Sequence, residues 1–114
     1  MWQDNDSKIM NILDKIETKS KEQFPVICPI CGQKEGHVYF HRNNTAENMG
    51  GMWTWCSSCR HSAHALFRIP QWWINLKEID FEKLTSYPDY LEENKVCIDE
   101  WINELLEYLT EFYK

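Results

Sequence analysis

No stretch of the 114-residue chain approaches the roughly 20 apolar residues that a membrane-spanning helix needs, so no such span is expected. The opening Met1-Trp2-Gln3-Asp4-Asn5-Asp6 has neither the cationic start nor the apolar run of a signal peptide, and the expected compartment is the cytoplasm. Basic residues are scarce: 12 Lys+Arg face 18 Asp+Glu, a net charge of -6, which argues against a generic basic nucleic-acid binder. There is no Gly-rich phosphate loop, no GxSxG and no HExxH, and there is no internal repeat or low-complexity tract. What the chain does have is aromatic bulk. Six Trp, five Tyr and five Phe within a 43% apolar composition are enough for a core and exclude a wholly disordered chain. The length is that of a single domain, 1–114.

Charge is unevenly distributed. Residues 1–27 carry a net -1, residues 28–70 a net +2 and residues 71–114 a net -7. All four His and four of the five Cys fall in the middle segment. Ile9, Ile12, Leu13 and Ile16 recur at helical spacing and predict an amphipathic helix over 8–22, ended by Phe24-Pro25. His37 to Arg42 and Met52 to Cys56 read as strands, with His37, Tyr39 and His41 on one face and Trp53 and Trp55 sharing a face. The polar, Gly-ended stretch 43–51 suits a hairpin loop between them, and a third strand is expected at about 61–67. An aromatic linker, 69–94, holds Trp72-Trp73 and a short helix expected to start at Asp80. Ile98, Trp101, Ile102, Leu105 and Leu109 then mark an amphipathic helix over 95–113, with Glu100, Glu104, Glu107 and Glu111 on its opposite side.

The chemistry concentrates in two CxxC pairs, Cys28-Pro-Ile-Cys31-Gly and Cys56-Ser-Ser-Cys59-Arg, separated by 24 residues. A two-residue spacer lets both thiolates of one tight turn reach the same metal, and two such turns supply the four ligands of a closed, tetrahedral zinc site. Backbone N–H groups of the turns can point at the sulfurs. Gly32 can take a left-handed conformation after the first pair; Arg60 stands in its place after the second, where a guanidinium would offset the -2 charge of a four-thiolate zinc. A disulfide framework would want an oxidising compartment, and a redox CxxC would want a βα junction that this chain lacks.

Residues 26–68 resemble a zinc ribbon: a CPxCG knuckle, a β-hairpin, a second CxxC knuckle and a further strand. The resemblance implies one structural zinc held by Cys28, Cys31, Cys56 and Cys59. It also implies binding of nucleic acid or protein, the usual work of such modules. The flanking helices match no named family.

The fold class expected is therefore small α+β, a zinc-stapled sheet between N- and C-terminal amphipathic helices. A catalytic zinc would need an open position, which four cysteines do not leave. His61 and His64 could replace one knuckle, with Glu47 as base, but would compete with the better pair just upstream. They are read instead as surface or supporting side chains. No enzyme activity and no small-molecule substrate are expected. Tyr39, Phe40, Trp53, Trp55, Arg42, Arg60 and Arg68 would make a stacking surface for nucleic acid if they shared an exposed face, and otherwise form core. The acidic helix suits either a solvated face or a surface for a basic partner. The expected function is a non-enzymatic protein-binding module, adaptor or inhibitor. Trp53, Trp55, Arg60, Glu100, Glu104 and Glu107 are its candidate contact residues, and a nucleic-acid-binding ribbon is the alternative. Cys97 is given no role.

Overall fold

The computed structural model describes residues 2–4, 6–16, 22–44 and 48–112. A three-stranded antiparallel sheet is formed by β2 (Gly36–Asn44), β3 (Met49–Cys56) and β4 (His61–Arg68). A two-residue strand β1 (Gln3–Asp4) pairs parallel to β4, giving the order β1-β4-β3-β2. With its helices this is a small α+β fold. The strands run further into the hairpin than the turn residues suggest, to Asn44 and from Met49. Both glycines of the expected loop are strand residues. A Cβ on Gly50 would overlap the His41 carbonyl, and one on Gly51 would stand 2.7 Å from the Trp53 ring. Their missing side chains permit close packing here, with residues 45–47 outside the described residues.

Where periodicity predicts one helix over 8–22, the chain makes a single α-turn, α1 (Asp6–Ile9), and a 3₁₀ segment, Met10–Ile16; residues 17–21 lie outside the described residues. Ile9 and Ile12 are fully buried and three residues apart, a spacing that a three-residue turn stacks on one side. The Ile12 Cδ1 approaches to 3.0 Å of where a Gly36 Cβ would stand, so this element covers the face that Gly36 shares with Val38 and Phe40.

The opposite face carries His37, Tyr39, Trp53 and Trp55 in register, His37 opposite Trp55 and Tyr39 opposite Trp53. It is covered by the linker, by α2 (Asp89–Glu93) and by α3 (Lys95–Phe112). Both faces of β3 are consequently buried. Trp73 is the linker's anchor, edge-on to Tyr39 at 5.4 Å and to Phe40 at 5.3 Å. Arg42 ties the linker to the hairpin through Nη1 to the Trp73 carbonyl (2.6 Å), Nη2 to the Pro70 carbonyl (2.7 Å) and Nε to Asn48 Oδ1 (3.0 Å). Asp80 caps a short 3₁₀ turn, Phe81–Lys83, where the helix start is expected. Among the described residues no helix is long and apolar enough to cross a membrane.

Candidate metal centre

Cys28 and Cys31 sit in the turn before β2; Cys56 closes β3, and Cys59 lies in the turn to β4. The two turns are built alike. The Gly32 N–H donates to the Cys28 carbonyl and the Arg60 N–H to the Cys56 carbonyl, each at 3.0 Å. Both following residues are left-handed, Gly32 at φ 80° and Arg60 at φ 63°. The knuckle geometry thus demands positive φ whether or not glycine supplies it. The amide of Ile30 points at Cys28 Sγ (3.3 Å), and those of Ser58 and Cys59 at Cys56 Sγ (3.4 and 3.5 Å). These are the donors that stabilise thiolates.

The four sulfurs converge from the two turns, all within 4.8 Å of one another. Cys28 and Cys59 are 3.7 Å apart, as are Cys31 and Cys56. A disulfide would bring sulfurs to about 2.05 Å. A tetrahedron of thiolates at a metal–sulfur length of about 2.3 Å places them about 3.8 Å apart, so the cluster is positioned to hold a metal ion. The Gln33 backbone holds the Cys31 thiol below its ordinary value, whereas burial pushes those of Cys56 and Cys59 up. Without a cation Cys56 and Cys59 therefore favour their neutral form, and a bound metal would reverse that preference.

His61 Nδ1 lies 3.3 Å from Cys59 Sγ, in position to donate to a ligand sulfur. His64 is not at the cluster. It stacks on Trp53 at 4.4 Å, with Nδ1 at 3.2 Å from the Met52 carbonyl. Glu47 lies outside the described residues.

The Arg60 guanidinium is placed 4.7 Å above the Trp2 ring. It makes a cation–π contact to the N-terminal segment, which the Gln3 N–H to Arg60 carbonyl bond (2.8 Å) brings alongside. Arg60→Gly gains backbone freedom at a left-handed position and loses that contact, two effects of about 1 kcal/mol each. Arg60→Ile loses the contact and retains the strain, and should be less stable than Arg60→Gly by about 1–2 kcal/mol in denaturant unfolding. Equal stability of the two variants would show that the left-handed turn imposes no such demand.

The sequence reading missed a polar network behind the second knuckle. His37, buried at 2% exposure, places Nδ1 2.9 Å from Asp99 Oδ1 and Nε2 2.8 Å from Ser57 Oγ. The Ser57 hydroxyl donates to Glu92 Oε1 (2.7 Å), which also accepts from the Trp55 indole N–H (3.0 Å). Lys95 Nζ reaches Glu92 Oε2 (2.9 Å) and Ser57 Oγ (3.3 Å). Burial pushes the Asp99 carboxyl up against the opposing pull of His37. Burial would raise Glu92 as well, but the Ser57, Lys95 and Trp55 donors outweigh it and hold Glu92 below its usual range. The Asp99–His37–Ser57 series has the spacing of a hydrolytic triad, but its hydrogen bonds run differently. The serine hydroxyl donates its hydrogen bond to Glu92, and the amides of Ser58 and Cys59, which an oxyanion would need, point at Cys56.

Trp53 and Trp55, expected as partner contacts, are core at 5% and 0% exposure, as are Tyr39 and Phe40. Their indole N–H groups donate inward, to the Thr85 carbonyl and to Glu92. With Arg42 engaged by three acceptors and Arg60 lying on Trp2, the residues of the expected stacking surface are not grouped on an exposed face. Glu100, Glu104 and Glu107 are exposed on α3. Cys97 stands apart from the cluster, its thiol raised by burial and by Glu78 and Glu100.

Comparison with protein-family models, curated proteins and solved structures finds no match to this chain. What fold and site define is a small α+β module with four cysteines positioned to hold a metal.

Proposed function

We propose that this protein is a non-enzymatic module, stapled by one structural zinc, that binds a basic protein partner through the exposed face of α3. Zinc is the ion favoured by four thiolates at tetrahedral spacing, and four protein ligands leave it no open position for a substrate. The observation that carries the binding reading is the division of charged and aromatic groups. The tryptophans of the sheet are core, Arg42 is held by backbone carbonyls, and Arg60, though exposed, lies over Trp2. Glu100, Glu104 and Glu107, at i, i+4 and i+7, stand exposed with no ion pair among the described residues. Such a strip attracts a positive surface and steers its approach. Adaptor and inhibitor are the two forms this reading takes.

The test compares wild-type protein with a Glu100→Lys/Glu104→Lys/Glu107→Lys variant in capture from nuclease-treated host lysate. A basic protein held by the wild type, released by raised salt and lost by at least about tenfold on reversal is the expected result. Capture that disappears with nuclease treatment, or is unchanged by the reversal, would overturn the reading.

A further inference from the structure

A cleft of about 340 Å³ lies between the first two turns of α3 and the Phe24-Pro25 segment. We propose that it receives a single basic side chain, lysine or arginine, of the protein that binds the acidic face; the inference rests on that reading and specifies its anchor point.

The walls are apolar. Phe24 and Pro25 form one side and Val96, 65% exposed, the other. The Phe24 wall is held in place, because Asn103 accepts from the Phe24 N–H (2.7 Å) and donates to its carbonyl (2.9 Å). Five charged or titratable groups line the cleft: Glu35, Asp99, Glu100, His37 and Lys95. His37 and Asp99 satisfy one another. The Lys95 ammonium is committed to Glu92 and Ser57. Glu35 and Glu100 have no cation among the described residues, so the unmatched charge of the cleft is negative.

A lysine or arginine side chain matches this division. Its methylene stem can cover Val96 and Pro25 while its charged head meets the two carboxylates. An anion would be repelled, and an apolar group would strip water from carboxylates without replacing it. Glu100 is shared by the cleft and by the Glu100/Glu104/Glu107 strip, so a side chain inserted here lies at one end of the proposed binding face.

The experiment is an amide NMR titration of the full, zinc-loaded chain with capped Ala-Arg-Ala, Ala-Lys-Ala and Ala-citrulline-Ala, the last a neutral analogue of the first. Expected are saturable shifts at the amides of Phe24, Glu35, Val96 and Asn103 with a cationic peptide. These should be absent with citrulline and weakened about tenfold in Glu35→Gln/Glu100→Gln. Glu100→Gln alone changes an exposed helix position, so folding cannot obscure the result, and its partial weakening is a second expected outcome. The stronger of the two cationic peptides tells guanidinium from ammonium. Shifts confined to Glu104 and Glu107 would overturn the cleft proposal and leave the acidic-face reading standing. Cleft shifts that persist while partner capture ignores the triple reversal would overturn the acidic-face reading, and with it the assignment of the bound side chain to that partner, leaving only a cleft that takes a cationic side chain. An equal response to citrulline, or silence at the cleft amides with every peptide, refutes the inference.

Discussion

Removing the metal, or replacing Cys28 or Cys59 by serine, lowers the thermal unfolding midpoint by about 20 °C or more, whereas Cys97→Ser shifts it by no more than about 5 °C. The asymmetry follows from where the sulfurs stand. Cys28 and Cys31 lie in the segment entering β2, and Cys56 and Cys59 in the turn between β3 and β4, so a metal held by all four would join parts of the chain 31 residues apart. Structural zinc contributes on the order of 10–16 kcal/mol in isolated fingers, comparable with the whole stability of a small domain. Here the sheet has its own core around Trp55, Trp73, Ile98 and Ile102, which can retain part of the fold after the knuckles are lost. A loss of about 5 kcal/mol is therefore the expected scale, and it corresponds to that shift in midpoint. Affinity for the metal should fall with pH, because protons compete for thiols that burial already pushes up at Cys56 and Cys59. Calorimetry with and without chelator, at neutral and mildly acidic pH, measures both effects. Unfolding unchanged by chelation would refute a structural metal, and an equal loss in Cys97→Ser would show that the cluster is not its source.

The parts of this architecture readable from sequence are those whose partners are close along the chain. Two thiols of a CxxC turn are neighbours by construction, and the alternation in β2 and β3 sets which aromatics share a face before any packing is known. Arg60 was recognisable as the counterpart of Gly32 by position alone; where its guanidinium goes was not, because Trp2 lies 58 positions earlier and reaches it only through the β1–β4 pairing. The exposure of Trp53 and Trp55 was undecidable for the same reason. A strand with aromatics on one face makes either a binding surface or a core, according to whether another element covers it. The linker and α2 supply that cover, through contacts as distant as Trp55 to Glu92. The N-terminal helix failed differently: its i, i+3 apolar pairs satisfy both 3.6- and 3-residue periods over so short a run.

The His37 network left one usable trace in the sequence, an aspartate beside Ile98 at the border of an otherwise apolar stripe. Its consequence is the second large effect. His37→Ala should cost about 3–5 kcal/mol, because it leaves Asp99, only 7% exposed, without its hydrogen-bond partner and opens a cavity where the ring stacks on Trp55. Asp99→Asn should cost less, since an amide oxygen can still accept from Nδ1. Ser57→Ala should cost about 1–3 kcal/mol by leaving His37 Nε2 and one Glu92 oxygen short of a partner. The His37/Asp99 double variant should then be more stable than the sum of the single losses predicts, because once one partner is gone the second removal is partly relieved. Ser57 is also the residue after Cys56, and its own N–H donates to the Glu35 carbonyl at 3.0 Å. The network therefore fixes the second knuckle to β2, α2 and α3 at once. Loosening it should weaken metal binding as well as folding, so His37→Ala, once loaded with metal, should release it to a chelator faster than wild type at a temperature where both remain folded. A His37→Ala protein that unfolds within about 1 kcal/mol of wild type, with unchanged metal release, would reduce the network to a passive filling of the interior. If the loss is large and metal release faster, the metal centre and the acidic helix act as one unit: the same side chains that hold the knuckle also fix the orientation of the exposed face of α3.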